Sequence, residues 1–362
     1  MRGLLSGLAA ALLWFAAAAD AAWFERHVVL PATYLPAPPG WVSPALRTAA
    51  ALLAAGLIAC AIAVKRIRPG LRVGVAALLA LCASELLLRA LPRREWRIEA
   101  HLGAPDPRTG WAFVPRRALD LAAPGSTRPV RYAIDARGDR APSPEWREDP
   151  DAPTIIVAGE SIAAGHGLEW NETFAAQLGE AMHAQIVDVA EGGYSTGQAW
   201  LRASDALARF THPIALVMTV LPVQLQRNLR DDRPHLVLRG GALELAPASS
   251  VTLRLRNLLV NDLPYLSEAR LQQSLALTRA ILEQAAAGAR SRAARPLFVV
   301  PSYGPTRPLD EHREAFIVHA LLDGLPSLVV DIDPARILPF EGHPDAEGAR
   351  QLAAAVAEAL RK

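Results

Sequence analysis

From Thr154 onward, short runs that are mostly apolar and do not alternate with polar positions recur between stretches where Leu and Ala return at helical spacing, and this pattern admits few folds. The runs are Thr154–Val157, Gln185–Val189, Ala215–Met218, Leu297–Val300 and Leu328–Asp331. A strand with no polar face has to be covered on both sides, which is the situation of a parallel strand inside an α/β sheet. The stretches 172–183, 198–210, 267–287, 309–322 and 344–360 show the period of amphipathic helices and can serve as crossovers. The expected fold class is therefore α/β, with a parallel sheet of about five strands between two helical layers. His235–Leu245 is an excursion from that pattern, with Gly240 and Gly241 supplying the positive φ of a tight hairpin turn.

The first ninety residues obey another rule. Hydrophobic residues make up 51% of the 362-residue chain, and their excess is concentrated here. Leu4–Trp23, Ser43–Val64 and Val73–Leu88 are Ala/Leu-rich stretches near the length that crosses ~30 Å of hydrocarbon, so three transmembrane helices are expected. Arg47 and Glu85 near the segment ends require snorkelling or tilt. Trp14, Trp23 and Trp41 fit anchoring at a lipid interface. A cleaved signal peptide over residues 1–22 is the competing reading, since Arg2, an apolar run and Ala19-Asp20-Ala21 resemble its three regions. A helical bundle within a soluble protein is the other alternative. The basic loop Lys65–Arg72 argues for a cytoplasmic N-terminus, nearly balanced by Arg89, Arg93, Arg94 and Arg97 after the third segment. Residues 1–95 are thus expected to form a membrane region, 96–150 a Pro- and Arg-rich connecting segment packed on the catalytic domain, and 151–362 that domain.

Composition removes several function classes. A net charge of +2, from 38 basic and 36 acidic residues, provides no field for nucleic acid. Both cysteines, Cys60 and Cys82, lie in apolar stretches, which excludes a disulfide framework or thiolate metal site in the C-terminal part. The nine histidines show no metal-ligand spacing, so neither metal nor cofactor is expected.

In an open parallel sheet, reacting groups gather at the carboxyl ends of the strands. The first run ends in Gly159-Glu160-Ser161, which places a serine hydroxyl at the strand-to-helix turn, where the following helix dipole favours developing negative charge. An N-capping serine would look the same. The feature that favours a nucleophile lies at the far end of the chain, in Phe340-Glu341-Gly342-His343-Pro344-Asp345 after the fifth run. His343 falls on the same sheet edge and can take the Ser161 proton, with Glu341 fixing its tautomer.

These segments resemble the SGNH, or GDSL-like, hydrolases. Val157–Ile162 looks like that family's first block, usually Gly-Asp-Ser, with Glu160 in place of the aspartate; Glu341–Gly348 looks like the last, usually Asp-Gly-His-Pro-Asn followed by a glycine. Asp188–Thr196 stands where the second block lies, with Ala190 at the usual glycine, though Gly192 or Gly193 could fill that position in another register. Asp106–Trp111 and Tyr132–Arg140 are similar to the lead-in of bacterial membrane-anchored members, so the resemblance spans roughly residues 105–360. One departure is clear. Where the third block normally provides an oxyanion-hole asparagine, this chain has Val223, with Gln224 adjacent as a substitute donor and Asn228 further along.

The resemblance implies a three-layer, flavodoxin-like fold and a membrane-anchored serine esterase acting on an O-acyl or O-acetyl ester of a glycan or lipid. Ser161, His343 and Glu341 are the expected catalytic residues; Ser161, Ala190 and Gln224 the oxyanion hole; Gly192, Gly193 and Tyr194 substrate contacts. It also implies a multi-pass protein of the bacterial inner membrane, and three spans starting from a cytoplasmic N-terminus would put the C-terminal domain on the periplasmic side. The alternatives are an impaired domain that binds glycan or supports an acyl-modification complex, motivated by Val223 and Glu160, and an acyltransferase using the same residues. Arg227, Arg230, Asp231 and Asp232 read as a solvated mixed-charge loop, with lining of the substrate cleft as the alternative, and His166 as peripheral, with a place at the pocket border as its alternative.

Overall fold

The computed structural model describes residues 2–20, 23, 42–63, 69–90, 101–122, 128–257, 260–261, 268–302, 308–338 and 343–362. Its helices are α1 (Arg2–Ala18), α2 (Val42–Ala63), α3 (Pro69–Ala90), α4 (Phe174–Met182), α5 (Thr196–Leu207), α6 (Pro222–Asn228), α7 (Arg254–Asn257), α8 (Glu268–Ser291), α9 (Pro308–Leu322) and α10 (Ala346–Arg361). Its strands are β1 (Gly103–Asp106), β2 (Gly110–Phe113), β3 (Arg117–Ala122), β4 (Pro129–Ile134), β5 (Thr154–Ala158), β6 (Gln185–Asp188), β7 (Pro213–Thr219), β8 (His235–Arg239), β9 (Ala242–Ala246), β10 (Arg295–Ser302) and β11 (Ser327–Asp331). The chain divides into two compact units, residues 1–94 with 250–270, and residues 95–249 with 271–362.

In the second unit five strands form one parallel sheet in the order β11-β10-β7-β5-β6. Taken in chain order that is 2-1-3-4-5 read from the β6 edge, the doubly wound arrangement in which the chain reverses direction beside its first strand. The five runs expected from the sequence are these five strands. Their residues alternate between faces: Ile155, Val157, Val217 and Val299 join Leu178 of α4 and Leu352 and Val356 of α10 in one buried cluster. The opposite face carries the buried side chains Ile156, Leu216 and Phe298. Helices α5 and α8 pack so closely that a Cβ on Gly288 would meet Trp200 at 2.4 Å. The Gly240-Gly241 turn, with φ of 57° and 84°, joins β8 to β9 as an antiparallel hairpin.

Residues 98–150, expected as an aperiodic connection, instead hold two hairpins, β1/β2 and β3/β4. They have a small core of Leu102, Phe113, Val130, Tyr132 and Ile134. Strands of four to six residues with Pro, Arg and Asp on the outer positions are too short to show a period.

The first unit corrects the expectation of three transmembrane spans. Among the described residues no helix is long and apolar enough to cross a membrane. Helix α1 has 17 residues, about 26 Å at 1.5 Å per residue, short of the hydrocarbon thickness. In α2 the Arg47 guanidinium donates to the carbonyls of Ala16 at 2.6 Å and Ala17 at 3.3 Å. In α3 the Glu85 carboxylate accepts the N–H groups of Arg254 (3.0 Å) and Leu255 (2.8 Å) at the start of α7. The polar side chains read as tolerated at membrane ends thus tie these helices to neighbouring backbone.

Candidate active site

Strand β5 ends against β7, and the contact allows only glycine at the next position. A Cβ on Gly159 would lie 2.0 Å from Thr219 Oγ1. The chain then turns sharply through Glu160 and Ser161, at the point beside the first strand where the topology opens a crevice. No long helix starts here, which corrects the expected helix dipole. Gly165 and Gly167 adopt φ of 64° and 80°, ending the helical turn, and α4 begins only at Phe174. Three carbonyls of this loop, those of Ala164, Gly165 and Leu168, accept instead from the buried guanidinium of Arg140. That guanidinium stacks 4.5 Å from the Tyr132 ring, whose hydroxyl accepts from Gly167 N–H at 2.7 Å. Arg140 also holds the β6 edge, its N–H donating to Asp188 O at 3.1 Å.

The nucleophile candidate has two partners. Ser161 Oγ lies 2.8 Å from His343 Nε2, a contact between residues 182 positions apart. It also donates to Glu160 Oε2. Glu160 is buried. Burial acts to raise its carboxyl, but Arg227, the Ser161 hydroxyl and the Ile162 N–H hold it below the usual carboxylate range. Arg227 Nη1 sits 3.6 Å from Glu160 Oε2 and donates to Tyr194 O at 3.2 Å. The segment read as a solvated loop is therefore partly buried, and Asp232 pairs with both Arg230 (2.8 Å) and Arg233 (2.9 Å).

His343 is positioned from its own side. Leu338 N–H donates to His343 O at 2.7 Å, and Asp345 caps α10 by accepting Gly348 N–H at 2.8 Å. Gly348 is required here, because a Cβ would meet Arg336 O at 2.9 Å. The His166 ring lies 5.5 Å from that of His343, and both face Ile162, Leu168, Phe174 and Leu352. His166 thus sits beside the histidine rather than at the periphery. Glu341, the expected acid, lies outside the described residues.

The remaining expected residues fall as follows. Ala190 is buried, and its N–H donates to Asp188 Oδ1 at 3.0 Å, so the proposed oxyanion donor is already engaged. Burial pushes the Asp188 carboxyl up to about 8, against the pull of the Ala190 N–H and Arg140. Gln224 is fully buried; its Oε1 accepts Leu221 N–H at 2.9 Å, while its Nε2 has no hydrogen-bond partner among the described residues. Asn228 is structural, bridging Gly197 N–H (2.9 Å) and Thr278 Oγ1 (2.7 Å). Gly193 takes φ of 76° in the turn after β6. Tyr194, expected as a pocket wall, is buried instead, with its hydroxyl donating to Trp111 O at 2.7 Å. Its ionisation is pushed well up, first by burial and then by Glu191.

The signals that sequence reasoning missed were Arg140, Arg227 and the Glu160 side chain. Arginines followed by no apolar period look like surface, and only the tertiary fold shows that their guanidinium groups point inward.

No family model matches the sequence, and no curated protein matches it. Solved structures similar to this chain include a member of the lipolytic protein G-D-S-L family from Veillonella parvula, 13% identical, with a TM-score of 0.33 over 57% of this chain and 96% of that one. An acetyl xylan esterase from the rumen bacterium Butyrivibrio proteoclasticus is 11% identical, with a TM-score of 0.36 over 60% of this chain and 65% of that one. A GDSL-like lipase from Bacteroides thetaiotaomicron is 12% identical, with a TM-score of 0.35 over 58% and 88%.

Proposed function

We propose that this protein is a serine ester hydrolase of the SGNH type, acting on an O-acyl or O-acetyl ester of a glycan or lipid. The observation that carries the reading is the 2.8 Å approach of Ser161 Oγ to His343 Nε2, at the crevice where a doubly wound sheet gathers its reacting groups. Ser161 attacks the ester carbonyl carbon, His343 accepts the hydroxyl proton and returns it to the leaving alcohol, and water resolves the acyl-enzyme by the same route. Glu341 stays in this reading as the residue that orients His343. The oxyanion is received by the Ser161 N–H and by Gln224 Nε2, the buried donor that has no partner among the described residues.

The first unit attaches the protein to a lipid surface. Leu78, Leu79, Leu81 and Leu86 of α3 and Trp14 of α1 are all exposed, and an apolar outer face of that kind favours lipid over water. Co-sedimentation of the purified full chain with lipid vesicles is expected; recovery in the supernatant contradicts attachment.

The catalytic reading is tested with p-nitrophenyl acetate. Hydrolysis by the purified chain, lost in S161A and in H343A while both variants keep the wild-type melting temperature, is the expected result. Hydrolysis unchanged in S161A contradicts it.

A further inference from the structure

We propose that Glu160, the residue preceding the nucleophile, is itself catalytic: its carboxylate, fixed by Arg227, holds the Ser161 hydroxyl in place and stabilises the positive charge that His343 acquires. This rests on the reading of Ser161 and His343 as nucleophile and base.

A carboxylate as buried as that of Glu160 persists only if its oxygens are satisfied. The two oxygens have different partners. Oε1 accepts Ile162 N–H at 3.0 Å and so fixes the turn. Oε2 accepts from Ser161 Oγ and faces Arg227 Nη1 at 3.6 Å. Only the first of these is a structural contact; the second is made to the reacting atom itself.

Ser161 has a single hydroxyl proton and two acceptors within reach, Glu160 Oε2 and His343 Nε2. When an ester enters, the hydroxyl turns toward Nε2. A bond forms between Oγ and the carbonyl carbon, the carbonyl π pair moves onto oxygen, and the Oγ proton passes to Nε2. The imidazolium then stands opposite an ionised carboxylate in a site with little water, where such a charge pair is worth far more than at the surface. Collapse of the intermediate breaks the bond to the alcohol, which takes the proton from Nε2. Glu160 remains ionised throughout and is not consumed. Arg227 is a positioning residue that acts through Glu160.

The test uses the full chain and p-nitrophenyl acetate. E160Q keeps an oxygen for Ile162 N–H but removes the charge, and it is expected to lower kcat about 10²-fold with little change in KM. R227Q is expected to lower kcat about tenfold, and the double variant to be no slower than E160Q, because both act on one interaction. The rate of covalent labelling by a fluorophosphonate is expected to fall in parallel. A folded E160Q within about twofold of wild type, alongside inactive S161A and H343A, overturns this inference and leaves the Ser-His reading standing. Full activity in S161A overturns the reading itself. If E160Q does not fold, R227Q decides: a folded R227Q with unchanged kcat contradicts the role given to the pair.

Discussion

Ser161 and His343 meet at 2.8 Å, yet the two sides of that contact are anchored by different physics. The serine loop is tied down by buried charge: Arg140 on three of its carbonyls and Glu160 at the turn. The histidine is held by backbone hydrogen bonds, a glycine that lets α10 approach Arg336 and a helix cap at Asp345. Buried charge is costly to strand once a partner is removed, whereas a cap is replaced by water for far less. The nucleophile side should therefore be brittle and the base side tolerant, and that asymmetry can be measured.

The largest effect belongs to the contact itself. H343A is expected to lower kcat for p-nitrophenyl acetate about 10³-fold, equivalent to about 4 kcal/mol, without loss of melting temperature. On the nucleophile side, R140M strands three carbonyls, and should destabilise the fold by about 3 kcal/mol in urea unfolding, lowering activity by displacing the loop. A loss under about 1 kcal/mol would break the comparison. Asp188 sharpens it through pH. Its carboxyl is raised to about 8 in the fold, against about 4 in an unfolded chain. The folded state therefore binds the extra proton between those values, and the stability it contributes is complete below about pH 4 and lost as pH rises through 8. D188N, neutral throughout, should gain on wild type by about 1 kcal/mol or more between pH 5 and pH 9, measured by urea unfolding at both. The smallest effect is assigned to the base side. D345A removes a single cap and should cost about 1 kcal/mol, with kcat little changed; a loss comparable to that of R140M would erase the asymmetry.

This contrast also explains what could be read in the sequence. All five strands of the sheet were legible because their centres are continuously apolar rather than alternating, the pattern of a parallel strand covered on both faces. Ser161 and His343 were legible as candidates because each follows such a strand, and strand ends share an edge. The hairpins of residues 103–134 were not, since strands of four to six residues carrying Pro and Arg leave no period. Nor were Arg140 and Arg227: a guanidinium that turns inward to carbonyls or a carboxylate has the same local sequence as one in water. Ala190 was misread because its N–H, free in sequence terms, is taken by Asp188 two residues earlier. The apolar N-terminal stretches were read as spans on hydropathy, which counts Arg47 and Glu85 as tolerable ends and cannot register that each is bonded to neighbouring backbone.

The most direct measurement of the central claim is the site of covalent capture. Wild-type protein treated with a fluorophosphonate and digested should carry one adduct, on the peptide containing Ser161, and H343A should label far more slowly under the same conditions. An adduct on another residue, or no adduct where a known serine esterase reacts to completion, would contradict the account.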